Sequence, residues 1–290
     1  MSWRRCCAVA RAAAGASVLG AGLAAKQAWE LRCEWRGLRL QASACSGPQE
    51  GCEGAAGPRG ARPLLLLFLG DSLVSGVGGQ VSACPTPAAL PRHVAAHLSE
   101  QLGEVRWASV GITGADVERL AAEGLPRLRE LAQGAGTASV VVVLVVGVND
   151  LRRLRLGYRL RLRRLVQEAR QLGKVEGVFL PAVAIADAPM LQRYPLKLFV
   201  APLCSLWERE KRKAISWCHD AQVLPFPAAP SGGTEAFFSA DQMHPNLAGY
   251  EFWARGLAKE IARWRQQSQN RLEPSMPSPF QPFRDYKASL

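Results

Sequence analysis

The chain has 290 residues, 48% of them hydrophobic, which supports one sizeable core and leaves flanking segments over. Thirty-six Lys and Arg against 24 Asp and Glu leave a net charge of +12, which favours acidic surfaces such as anionic lipid or nucleic acid without naming a substrate. The eight cysteines form no C-x-x-C pair and have no His at zinc-finger spacing, which argues against a structural metal.

The first 29 residues carry Arg4, Arg5, Arg11 and Lys26, no acid before Glu30, and an Ala/Gly-rich stretch from Ala12 to Ala25. That stretch is shorter than the ~20 apolar residues of a membrane span. Three readings compete: a secretory signal or weak signal anchor, a mitochondrial presequence, and an amphipathic helix lying on a membrane or on the domain. Membrane or organelle association is expected over a free cytosolic chain. Residues 30–61 read as a connecting helix followed by the linker "QASACSGPQEGCEGAAGPRGARP" from Gln41 to Pro63, rich in Gly, Ala and Pro. Within it Cys45 and Cys52 either close a small loop in an oxidising compartment or remain free thiols.

The folded unit is expected over residues 62–265. Short apolar runs at Leu64 to Leu69, Val105 to Val110, Ser139 to Val146, Val175 to Val183 and Gln222 to Phe226 read as strands. Val140 to Val146 is valine throughout except Leu144, as suits a parallel strand covered on both faces. Segments of helical period lie between, at Ala88 to Leu102, Asp116 to Gln133, Tyr158 to Leu172, Leu196 to His219 and Leu247 to Arg265. The alternation predicts a three-layer α/β/α sandwich on a mainly parallel five-stranded sheet. Residues 266–290, with Pro274, Pro277, Pro279 and Pro282, read as a loosely ordered tail.

Ligands of such sheets bind beyond the carboxyl ends of the strands. The residues there are Gly70-Asp71-Ser72, Gly111-Ile112-Thr113-Gly114 and Gly147-Val148-Asn149-Asp150, while Asp241-Gln242-Met243-His244-Pro245 precedes the last helix. Singly, each block has an ordinary explanation. Asp71 and Ser72 read as a strand exit that caps a helix, and Asn149 and Asp150 as a turn or cap. His244-Pro245 reads as a helix start with Pro at the first position, and Asp241 as a solvated carboxylate. Together, "GDSL" at 70–73, the glycine of "SVGITG" at 111, "GVND" at 147–150 and "DQMHP" at 241–245 resemble, in order, the four motif blocks of the GDSL, or SGNH, hydrolase family. The resemblance spans about the whole inferred domain and implies that family's flavodoxin-like fold.

The resemblance implies a Ser-Asp-His triad. Ser72 would attack an acyl carbon, His244 would take its proton, and Asp241 would fix the imidazole tautomer. It implies an oxyanion hole made by the Ser72 and Gly111 backbone N–H groups and the Asn149 side-chain amide. Glycine at 111 is expected to keep a side chain out of the path of the acyl group. G-x-S-x-G is absent, since position 74 is Val. No metal or other cofactor is expected: His93 and His97 stand four apart on a predicted helix, but no third ligand accompanies them.

The segment Leu151 to Arg170 holds eight arginines. Leu151, Leu154, Tyr158, Leu162 and Leu165 recur at helical spacing, so an amphipathic helix with solvated arginines is the plainer reading beside an anionic-lipid patch. Nucleic acid is not expected, because no stacking aromatics accompany the charge. The leading expectation is a serine carboxylic-ester hydrolase acting through an acyl-serine, on small-molecule or lipid-related acyl esters, with Val74 to Pro91 and Ala186 to Pro202 shaping substrate choice. An acyltransferase with the same triad, or a catalytically silent SGNH-fold protein that binds a membrane or partner, are the rivals.

Overall fold

The computed structural model describes residues 20, 22–30, 33, 49–55, 63–79, 89–134, 136, 138–153, 156–183, 185–228, 233 and 235–272. The N-terminal targeting readings rest mainly on residues 1–19, outside that set, as are Cys45 and the prolines of the C-terminal tail.

The sheet consists of β1 (Glu50–Glu53), β2 (Leu64–Gly70), β3 (Val105–Gly111), β4 (Ser139–Val145), β5 (Val175–Pro181) and β6 (Ala221–Leu224), in the order β1-β3-β2-β4-β5-β6. β2 to β6 pair parallel throughout. The sheet therefore has six strands and not the expected five, because β1 adds an antiparallel edge to β3 from within the presumed linker. Its sequence, Glu50-Gly51-Cys52-Glu53, lacks apolar alternation because an edge strand buries little. Gly51 is what its position requires, since a Cβ there would lie 2.8 Å from the Trp107 indole nitrogen.

The strands bury both faces. Leu65, Leu67, Leu69, Val140, Val142 and Leu144 enter one core cluster, and Leu64, Leu66, Phe68, Val141, Val143 and Val145 the other. Each fully buried side chain of this kind stabilises the fold by about 1.5–3 kcal/mol. The second cluster is closed by α1 (Ala89–Leu102), through Leu90, Val94 and Leu98, and by the last helix. The first is closed by α2, a helical segment over 117–133 with a π turn at Leu120–Gly124, and by two further helices. A short α3 (Val148–Arg152) follows β4, and α4 (Tyr158–Ala169) and α5 (Lys197–Ile215) flank β5.

Helix α4 buries Tyr158, Leu162, Leu165 and Val166 while Arg159, Arg163 and Arg164 face solvent, which is the amphipathic arrangement its spacing implied. Helix α6 (Leu247–Leu272) seats Tyr250, Trp253, Leu257 and Ile261 on the sheet. It runs past Arg265, after which no Gly or Pro stands before Pro274, so the tail reading was too long by one helical stretch. Among the described residues no helix is long and apolar enough to cross a membrane.

Candidate active site

Gly70 ends β2 in register with Gly111 of β3 and Val145 of β4. A Cβ on Gly70 would lie 2.5 Å from Val74 Cγ2 and 2.6 Å from the Val145 carbonyl, so the chain turns there only on glycine. The Val74 and Ser75 N–H groups then donate to the Asp71 carbonyl at 3.1 and 3.0 Å, and the Val77 N–H donates to the Ser72 carbonyl at 3.0 Å. These bonds wind the chain into one helical turn that holds Ser72 at its start.

A second loop descends from the other side. Phe238 and Pro245 form an isolated bridge, and the Ser239 N–H donates to the His244 carbonyl at 2.8 Å. Inside this closed loop Asp241 Oδ1 accepts from Ser239 Oγ at 2.7 Å and from the Met243 and His244 N–H groups at 2.9 Å each. The other oxygen, Oδ2, lies 2.5 Å from His244 Nδ1, and His244 Nε2 lies 2.8 Å from Ser72 Oγ. The structure thus brings Ser72, His244 and Asp241 into one hydrogen-bonded chain. Such a chain can pass the Ser72 proton to the imidazole and stabilise the imidazolium. Burial alone would raise the Asp241 pKa, but the His244 ring and the two backbone donors outweigh it and hold the carboxyl well below the usual range.

The loops are locked together. Tyr250 Oη donates to the Val77 carbonyl at 2.8 Å. Gly78, at φ +88°, lets the backbone pass the His244 loop, where a Cβ would sit 2.5 Å from the Pro245 carbonyl. Pro245 is not at the first helical position: Asn246 caps α6 by accepting from the Gly249 N–H at 2.9 Å, and Pro245 precedes it.

Asn149 lies buried in α3, which starts from Gly147 at φ +115°. Its Nδ2 donates to Asp71 Oδ2 at 2.8 Å, and Asp71 Oδ1 accepts from the Leu73 N–H at 3.1 Å. One amide hydrogen is held by Asp71, which fixes the plane of the amide and leaves the second for another acceptor. Burial pushes the Asp71 pKa up to about 6, against the Leu73 N–H, the charge of His244 and the Asn149 amide. Asp71 read from sequence as a simple cap, since nothing in its spacing reveals a partner 78 residues away. Gly111 has a packing reason as well: a Cβ there would meet Ser75 N at 2.5 Å and Ser75 Oγ at 2.6 Å, so glycine protects the packing of the Ser72 turn.

Asp150 does act as a cap, but across space. Its Oδ2 accepts from the Val117 N–H at 3.1 Å at the start of α2, while Oδ1 is buried without a hydrogen bond. Burial, followed by the nearby charge of Asp116, raises its pKa to about 6. A carboxyl whose folded pKa exceeds its unfolded value stabilises below the unfolded pKa and loses that contribution as pH rises through about 6. Asp150→Asn keeps the acceptor and removes the buried charge. It is expected to raise stability at pH 8 by about 1–2 kcal/mol and to change it little at pH 4, as urea unfolding at both pH values would measure. An equal loss at both would contradict this reading.

His93 and His97 lie on α1, and His97 Nδ1 is 3.5 Å from Glu100. Among the described residues no group of three or more His, Cys, Asp or Glu side chains is placed to hold a metal. Cys52 is an exposed free thiol on β1.

The family model of the GDSL-like lipase/acylhydrolase family matches residues 68–252, and the chain belongs to that family. It is an esterase-type hydrolase family, and the mostly parallel sheet matches its fold. The structure of TesA superposes with a TM-score of 0.51 at 21% identity, covering 70% of this chain and 99% of that one. A family 3 carbohydrate esterase of Clostridium thermocellum superposes with a TM-score of 0.50 at 15% identity, covering 71% and 99% respectively. At these identities the likeness is one of fold. A search of curated proteins finds no match.

Proposed function

We propose that the protein is a serine carboxylic-ester hydrolase that works through an acyl-serine intermediate on lipid-related acyl esters. The observation that carries this reading is the continuous chain from Ser72 Oγ through His244 to Asp241, at 2.8 and 2.5 Å. In the proposed sequence Ser72 Oγ attacks the ester carbonyl carbon while His244 Nε2 takes its proton. The tetrahedral oxyanion is held by the Ser72 and Gly111 N–H groups and by the Asn149 amide hydrogen not held by Asp71. Collapse releases the alcohol, which leaves with the proton from His244. Water then enters, gives its proton to the same nitrogen, and the acid departs as Ser72 recovers its proton.

Support for an acyl chain as part of the substrate comes from the family, whose model is that of a GDSL-like lipase/acylhydrolase. The test is a series of p-nitrophenyl esters from acetate to octanoate. Turnover efficiency is expected to rise at least tenfold along the series, since each buried methylene contributes about 0.8 kcal/mol. A maximum at acetate would overturn the lipid reading in favour of acetylated substrates.

A further inference from the structure

The first turns of α5 expose what a helix of a folded domain normally hides. Leu198, Phe199, Leu203 and Leu206 are all exposed. At 100° per residue they fall within one 140° arc, opposite the arc that buries Lys211, Ala214 and Ile215. A contiguous exposed apolar stripe of this kind marks an interaction surface.

The stripe does not stand alone. Gln27, on the helical residues 22–30, donates from Nε2 to the Tyr194 carbonyl at 2.9 Å and accepts from the Leu196 N–H at 3.3 Å. These two bonds seat the N-terminal helix against the turn that opens α5. That helix buries Ala24 but leaves Trp29 63% exposed, and Tyr194 beside it is 69% exposed. An indole and a phenol at the edge of an aliphatic patch suit the boundary between acyl chains and headgroups.

Charge selects the partner. From Arg193 to Lys213 five basic side chains are exposed, Arg193, Lys197, Arg209, Arg212 and Lys213, while Lys211 is buried, and the same stretch has two acidic side chains. Both glutamates, Glu208 and Glu210, are already paired with Lys211 and Lys213 of the same helix. The inner side of the same region packs Met190 and Leu196 on Met243, next to His244. The patch therefore adjoins the loop that carries the candidate general base.

We propose that this face, formed by the start of α5, the Tyr194 turn and the N-terminal helix, docks on an anionic lipid surface. Its aliphatic and aromatic side chains enter the acyl boundary and its Lys and Arg side chains meet the lipid phosphates, as for an interfacial helix. The purpose of such docking rests on the lipid-ester reading above, but its test does not.

The full chain would be sedimented with phosphatidylcholine vesicles, with and without 30% phosphatidylserine, at physiological salt. The expected result is binding to the anionic vesicles, with Ser72→Ala binding like the parent. The Leu198→Ser/Phe199→Ser variant, checked for native circular dichroism and melting, should lose at least tenfold in partitioning. Lys197→Gln/Arg209→Gln should lose the preference for anionic vesicles. No sedimentation of the parent, or undiminished binding by the folded Leu198/Phe199 variant, would overturn the proposal. So would light scattering that shows a dimer dissolved by that variant, which would assign the face to a second copy of the chain.

Discussion

Asp241→Asn is expected to lower kcat roughly ten-thousand-fold while the protein stays folded. The direction follows from which atoms are already taken. Three donors, Ser239 Oγ and the N–H groups of Met243 and His244, converge on Oδ1, so the carbonyl oxygen of an asparagine must occupy that position. Its amide nitrogen then faces His244 Nδ1, where Oδ2 now lies at 2.5 Å. An amide donates, so Nδ1 must become the acceptor and Nε2 must carry the ring proton. That tautomer offers Ser72 no base. Turnover of the variant within tenfold of the parent would remove Asp241 from the proposed role.

Gly111→Ala is expected to cost at least a hundredfold in activity and about 1–3 kcal/mol in stability. The new Cβ would lie 2.5 Å from Ser75 N and 2.8 Å from Ser75 Cα. These are backbone atoms of the turn that holds Ser72, and they cannot rotate aside like a flexible side chain. Relief must come from moving the turn, which shifts Ser72 relative to His244, a contact now 2.8 Å long. Gly134→Ala is the matched control: it has an ordinary helical φ of −73°, and its nearest neighbour would be 3.5 Å away. The control should match the parent in both rate and unfolding midpoint, and equal behaviour of the two variants would refute the steric account.

The parallel core was legible because burial on both faces writes itself as unbroken apolar runs. Val140 to Val145 and Leu64 to Leu69 are examples, and both lie in the sheet within a residue of their sequence limits. Strand β1 was hidden, because Glu50 and Cys52 are exposed at an edge and carry no alternating pattern. The four motif blocks could be found by order and spacing, and the fold gathers Ser72, Asp241 and His244 together while Asn149 meets Asp71. What sequence could not supply were contacts between distant segments. The Asn149–Asp71 bond, the cap that Asp150 gives to α2 and the seat of Gln27 on the Tyr194 turn each join residues more than 30 positions apart. Local propensity carries no record of such partners, and the ordinary readings of Asp71 and Asp150 as caps were reasonable for isolated tetrapeptides.

The most direct test of the central claim, an activated nucleophile at Ser72, is labelling of the full chain with a fluorophosphonate probe beside Ser72→Ala and His244→Ala. The expected result is a labelled parent, with phosphonylation mapped by mass spectrometry to the Ser72 peptide, and no labelling of either variant. A folded parent that does not react, or a Ser72→Ala protein that labels equally, would contradict the account.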